Sequence, residues 1–177
     1  MASILKVDTI QDQSGNNIIN ENAGTITIGK SGDTVNLASG ATAGFGKVLQ
    51  VVTDVYATET GTTSTSYVAV SGFAATITPS SASSKILVLC AASCYVNAAD
   101  VYLGTIYRGA TDLGTFGRIY SPAGALGGML TFHKLDSPST TSATTYTYYH
   151  KVGSGTGYVS VNNYKSNLTL LEIEGWL

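Results

Sequence analysis

The stretch Ile86-Leu87-Val88-Leu89-Cys90-Ala91-Ala92 is apolar at every position. In a strand, successive side chains point to opposite faces, so neither face of this one can be left to water. It reads as a central strand, covered on both sides or covered on one side by a neighbouring subunit. A second stretch, Thr144-Thr145-Tyr146-Thr147-Tyr148-Tyr149-His150-Lys151, alternates instead. Tyr146, Tyr148 and His150 share one face, while Thr145, Thr147, Tyr149 and Lys151 share the other. One face of that strand is buried, and its tyrosines can pack while hydrogen-bonding at the rim.

Outward from these two stretches the same grammar repeats. Short β-branched or aromatic runs are cut by Gly, Ser, Asn and Asp, as in an all-β chain. The runs predict strands over Val48–Tyr56, Ser66–Ser71, Ala74–Thr78, Lys85–Val96, Val101–Arg108, Thr115–Tyr120, Met129–Leu135, Thr144–Val152, Tyr158–Asn162 and Leu168–Ile173. Eight to ten short strands in this span predict an antiparallel β-sandwich of jelly-roll type, occupying residues 47–177. The last strand runs into Trp176-Leu177, an ending that needs a docking place in the interior or along a subunit axis.

Residues 1–46 behave differently. The triplets Asp8-Thr9-Ile10, Asn17-Ile18-Ile19, Ile26-Thr27-Ile28 and Val35-Asn36-Leu37 recur with a period of nine residues. Each ends in a large aliphatic, so Ile10, Ile19, Ile28 and Leu37 define one seam, with polar turns between the steps. A chance alignment of hairpins is the competing reading. The seam is too thin to be an independent core, which predicts an arm used for anchoring and oligomerisation, with three copies closing the seam around an axis. Thr42-Ala43-Gly44-Phe45-Gly46 reads as the hinge to the sandwich.

Composition narrows the function. Of 177 residues, 11% are charged, against roughly 25% in an ordinary soluble domain. Nine Lys and Arg, scattered singly, make no basic stripe, so no nucleic-acid partner is expected. No apolar run approaches a membrane span, and the opening Met1-Ala2-Ser3-Ile4-Leu5-Lys6 lacks the pattern of a secretory signal. Gly, Thr and Ser supply 20, 24 and 19 residues respectively, leaving a nearly uncharged surface that favours burial against partners.

Chemistry is hard to find. Cys90 and Cys94 lie too far apart along one strand for a disulfide and lack the second pair of a zinc site, so they read as small buried hydrophobes. His133 and His150 have no recognisable partners for metal binding or base catalysis. Glu172 and Glu174 share a strand face without a cleft and read as solvated or turn-bound acids. Gly153-Ser154-Gly155-Thr156-Gly157 lies between strands, not before a helix, and reads as a turn. No catalytic residue, metal or cofactor is expected, and the chain does not read as an enzyme. The tyrosines are the remaining candidates, because a flat ring with a polar tip suits a subunit contact or a sugar. Tyr120, Tyr158 and Tyr164, near loops, are the candidates for glycan contact.

The start Ile4-Leu5-Lys6-Val7-Asp8-Thr9-Ile10-Gln11-Asp12-Gln13-Ser14-Gly15-Asn16 resembles the openings of fibre-like virion structural proteins of marine and cyanobacterial tailed bacteriophages. The stretches Ile77–Val88 and Leu135–Tyr146 and the closing Leu168-Thr169-Leu170-Leu171-Glu172-Ile173 are similar to the same family. The resemblance implies a homotrimeric virion protein with an N-terminal attachment arm and a β head. Its partners would be other phage virion proteins of the capsid, portal or tail, and host surface polysaccharide. It would be assembled in the host cytoplasm. The chain is short for a long tail fibre, which favours a short fibre or spike, or a capsid decoration.

Overall fold

The computed structural model describes residues 9–11, 13, 17–22, 25–28 and 47–174. The chain forms two compact units, residues 1–45 and 46–177.

In the first unit, β1 (Thr9–Gln11), β2 (Asn17–Asn22) and β3 (Thr25–Ile28) form an antiparallel sheet in chain order. Ile10 pairs with Ile19, and Ile19 pairs with Ile28. The period of nine is thus a run of hairpins whose register lines three aliphatics up in one cross-strand row. Leu37, the fourth seam position, lies outside the described residues, as do the hinge Thr42–Gly46 and the end of the chain from Gly175.

The second unit contains β4 (Val48–Tyr56), β5 (Thr60–Thr62), β6 (Val68–Ile77), β7 (Lys85–Val96), β8 (Val101–Arg108), β9 (Thr111–Tyr120), β10 (Leu126–Asp136), β11 (Thr144–Val152), β12 (Gly157–Val159) and β13 (Ser166–Ile173). One sheet has the order β4-β13-β7-β10, all antiparallel. The short pair β5-β12 continues it beside the far end of β7, on the edge that β13 leaves. The other sheet has the order β6-β11-β8-β9. Counting the eight long strands along the chain, the sheets read first-eighth-third-sixth and second-seventh-fourth-fifth. This is the double Greek key of a jelly roll, so the fold is the all-β sandwich that the alternation predicts.

The core between the sheets is built differently from each side. The β7 sheet contributes Ile86, Val88, Cys90, Ala92, Leu168, Leu170, Leu130 and Phe132. The β11 sheet contributes Phe73, Tyr102, Ile106, Tyr146, Tyr148 and His150. Phe73 stacks on Tyr56 at 5.1 Å and lies 5.0 Å from Tyr148, which welds the rings into one layer. Gly104 is required here. The phenol of Tyr148 lies against its Cα, where no Cβ fits.

Several expected strands are redrawn. The two strands expected over Ser66–Ser71 and Ala74–Thr78 are one, with Gly72 at φ +84° forming a bulge, not a turn. The strand expected over Tyr158–Asn162 is only Gly157–Val159. It ends at Ser160, Asn162 and Asn163, all in left-handed backbone, in a short 3-10 turn. The apolar strand β7 is central in its sheet, but its outer face is only partly buried, with Leu89 38% exposed.

Candidate functional site

The outward face of the β7 sheet exposes several aliphatic side chains. Register places Val51, Leu171, Leu87 and Leu135 in one row across four strands. The next row is Thr53, Thr169, Leu89 and His133, and the third is Val55, Asn167, Ala91 and Thr131. Val51, Val55 and Leu135 are each more than half exposed. Four strands about 4.8 Å apart and three rows about 6.8 Å apart cover on the order of 400 Å². That is about half of what one partner contributes to a standard protein interface. A dip of ≈ 280 Å³, where Ala91 is smaller than its neighbours, opens between Leu89, Thr131, His133 and Asn167.

The row Ile10, Ile19 and Ile28 in the first unit is likewise exposed, at 41%, 37% and 56%. Three aliphatics aligned across a sheet are stabilised only when something covers them.

Of the expected glycan-contact tyrosines, Tyr158 and Tyr164 each neighbour Tyr95, and Tyr120 lies on the other sheet. Tyr164 is 68% exposed and borders a groove of ≈ 440 Å³ with Tyr95, Met129 and Lys165. Tyr158, expected to stand free, is half-buried because Gly61 offers no side chain beneath it, and its ring lies 6.1 Å from Tyr95. Tyr120 is exposed at the end of β9, on the outward face of the other sheet.

Most polar groups inside the sandwich are matched to partners, the Ser84 hydroxyl and one Asp54 oxygen excepted. His150 Nδ1 lies 3.0 Å from the Tyr102 hydroxyl, which lies 3.2 Å from that of Tyr148. Burial lowers the His150 pKa to about 4, so the ring is neutral. Burial raises both phenols and also lifts the free thiols of Cys90 and Cys94, the latter to about 11. Thiols held this way are inert, in keeping with the reading of both as small hydrophobes.

Two carboxylates act as ties. Arg108 Nη1 donates to both Asp136 oxygens at 2.9 and 2.7 Å, and the Tyr146 hydroxyl donates to Asp136 Oδ2 at 2.7 Å. These residues come from β8, β10 and β11, so the cluster joins the two sheets. Glu172 is fully buried and turn-bound. Its oxygens accept from Gln50 Nε2 and from the backbone N–H and hydroxyl of Ser80, each at 2.7 Å. Burial alone would raise its pKa, but the donors of Gln50 and Ser80 outweigh it and hold the carboxyl below its usual value. Glu174 lies beyond the strand, where its N–H donates to the Lys47 carbonyl. No group of three potential metal ligands occurs among the described residues.

Sequence reading missed the breadth of the aliphatic face. The alternation of Val51, Thr53 and Val55 against Leu87 and Leu89 signals it only once the register is known.

No protein family description and no curated protein matches the sequence. Among solved structures, the chain is similar to that of infectious bursal disease virus Gt strain, with 13% identity and a TM-score of 0.37 over 82% of this chain and 42% of that one. It is similar also to that of the Gx strain, with 11% identity and a TM-score of 0.36 over 80% of this chain and 44% of that one. The chain spans less than half the length of either.

Proposed function

We propose that this chain is a virion structural protein, a subunit of a short homotrimeric phage fibre or spike anchored by its N-terminal unit. The observation that carries the reading is the exposed Ile10-Ile19-Ile28 row. Such a row is of use when three copies close it, and covering each half-exposed Ile is worth about 1 kcal/mol. The jelly roll supports the reading, since viral capsid and lectin domains use this architecture. So does the resemblance carried by Ile4–Asn16. In this reading the protein is not an enzyme, resides in the virion and is assembled in the host cytoplasm.

Light scattering tests it. The full chain should have three times the 18.3 kDa mass of one copy. Ile28→Asp should leave the sandwich folded and reduce the mass to that of a monomer, because a charge on a closing apolar seam is costly. A wild-type chain that stays monomeric at micromolar concentration sinks the trimer.

A second reading, a capsid decoration, is favoured by the aliphatic face around Leu87 and Leu171, which suits docking on a shell. Copy number separates the two. Hundreds of copies per particle indicate a decoration, and a few to a few dozen indicate a fibre.

A further inference from the structure

The outward face of the β6-β11-β8-β9 sheet has different chemistry. Lys151 pairs with Leu103, and Leu103 pairs with Arg118, so two cations stand in one cross-strand row. Each lies over an aromatic ring. Lys151 Nζ is 4.5 Å from the centre of Tyr67, and the Arg118 guanidinium is 5.8 Å from that of Tyr120. Tyr67 meets Tyr107 edge-on at 6.5 Å, and Tyr107 stacks on Tyr149 at 4.0 Å. On the neighbouring edge strand, Ala69 and Ala74 stand opposite Tyr149 and Thr147, so the rings rise beside a low shelf.

In a chain with nine Lys and Arg, the placement of these two is informative. Neither cation has an ion-pair partner among the described residues, unlike Arg108, which pairs with Asp136. The carboxylate on this face, Asp112, is engaged by the Thr105 hydroxyl at 2.7 Å and the Gly114 N–H at 2.9 Å. Aromatic rings offer a sugar's C–H face an apolar surface, while phenol and threonine hydroxyls match its hydroxyls. Ammonium and guanidinium groups match carboxylates through charge-assisted hydrogen bonds.

We infer that this face is a binding platform for an acidic saccharide chain, with Tyr67, Tyr107, Tyr120 and Tyr149 taking the rings and Lys151 and Arg118 taking the carboxylates. The inference rests on the proposed reading in that an assembled particle would present this face outward while the aliphatic face is covered. It also replaces the three loop tyrosines by a set in which only Tyr120 is retained.

The full chain is titrated by calorimetry with polygalacturonate oligosaccharides, with dextran oligosaccharides and polyglutamate as comparisons. The wild type should bind the uronate oligomer, more weakly at raised salt, and neither comparison. Arg118→Gln/Lys151→Gln should weaken that binding by about tenfold or more, with unchanged mass and melting temperature. Absence of uronate binding, or equal binding by the double variant, overturns the proposal. So does equal binding of polyglutamate, which would make the face a reader of charge alone. A double variant with altered mass overturns it too, because the face would then be a contact between copies. A monomeric wild type that still binds uronate as expected refutes the trimer and leaves this site standing.

Discussion

The β4-β13-β7-β10 sheet is mainly aliphatic, with Tyr56 and Phe132 inward and Tyr95 outward, whereas the β6-β11-β8-β9 sheet is rich in tyrosine on both faces. Inward, Val88 and Leu170 face Tyr102 and Tyr148 across the core. Outward, Leu87 and Leu171 on one side contrast with Tyr107 and Tyr149 on the other. Both sheets use the same alternation and close the same core, so folding does not explain the difference. An exposed aliphatic row gains nothing from water, while tyrosine and threonine remain hydrated there. The difference teaches that one outer face is built to be covered and the other to stay wet.

The sharpest way to break this comparison uses three consecutive residues of β7. Val88→Asp should abolish folding of the sandwich, because a fully buried carboxylate without partners costs more than a domain's margin of roughly 5–15 kcal/mol can readily absorb. Leu87→Asp and Leu89→Asp, one step either way, should fold and keep a cooperative thermal transition. Each should instead lower assembly, measured as co-sedimentation with particles or as loss of the oligomer. If Leu87→Asp assembles as well as wild type, the aliphatic face is not an interface and the contrast loses its meaning. Thr147→Asp, on the opposite outer face, is the matched control and should alter neither folding nor mass.

Much of this architecture is legible in the sequence because alternation is a local signal. Val48–Tyr56, Lys85–Val96, Val101–Arg108 and Thr144–Val152 are strands over the expected bounds. The row of Ile10, Ile19 and Ile28 was visible because its spacing is regular. What stays hidden depends on partners distant in the chain. Gly72 has the same letter in a bulge and in a turn, and the choice is made by β11 alongside it. Thr60–Thr62 has too few residues to alternate. The Tyr67–Tyr107–Tyr149 cluster spans three strands and is invisible until they are registered. Glu172 reads as a strand carboxylate; its burial becomes clear only with Ser80, 92 residues earlier.

A smaller effect sharpens the contrast within the core. His150 belongs to the tyrosine-bearing sheet, and its pKa is lowered by burial from 6.5 to about 4. An unfolded chain takes up the proton near pH 6.5, but the folded chain does so only near pH 4. Stability present above pH 6.5 is therefore lost as the pH falls through this window, by about 3 kcal/mol in all. Urea denaturation at a series of pH values should show the decline in wild type, and His150→Gln should flatten it. An unchanged slope in the variant would assign the decline to other groups.

Glu172 provides the smallest of these effects and the strictest check on the contrast, because it is a fully buried carboxylate on the inner face of the aliphatic-rich sheet. Its folded pKa is depressed below the ordinary carboxyl value of 4.5, so the stability it contributes is present above that value and lost as pH falls through the folded pKa. Glu172→Gln keeps one carbonyl acceptor but gives up a charge-assisted contact to the Ser80 turn, at a cost of about 1–3 kcal/mol near neutral pH. The gap between wild type and variant should persist from neutral pH down to about 4.5 and narrow only below it. This window lies below most of the His150 decline, so the two residues are separable in one set of urea curves. If the gap instead closes between pH 6.5 and 4, the aliphatic sheet shares the histidine's titration. Glu172 would then belong, like Asp136 of β10, to the same polar system as the tyrosines, and the division of chemistry between the sheets would stop at their outer faces.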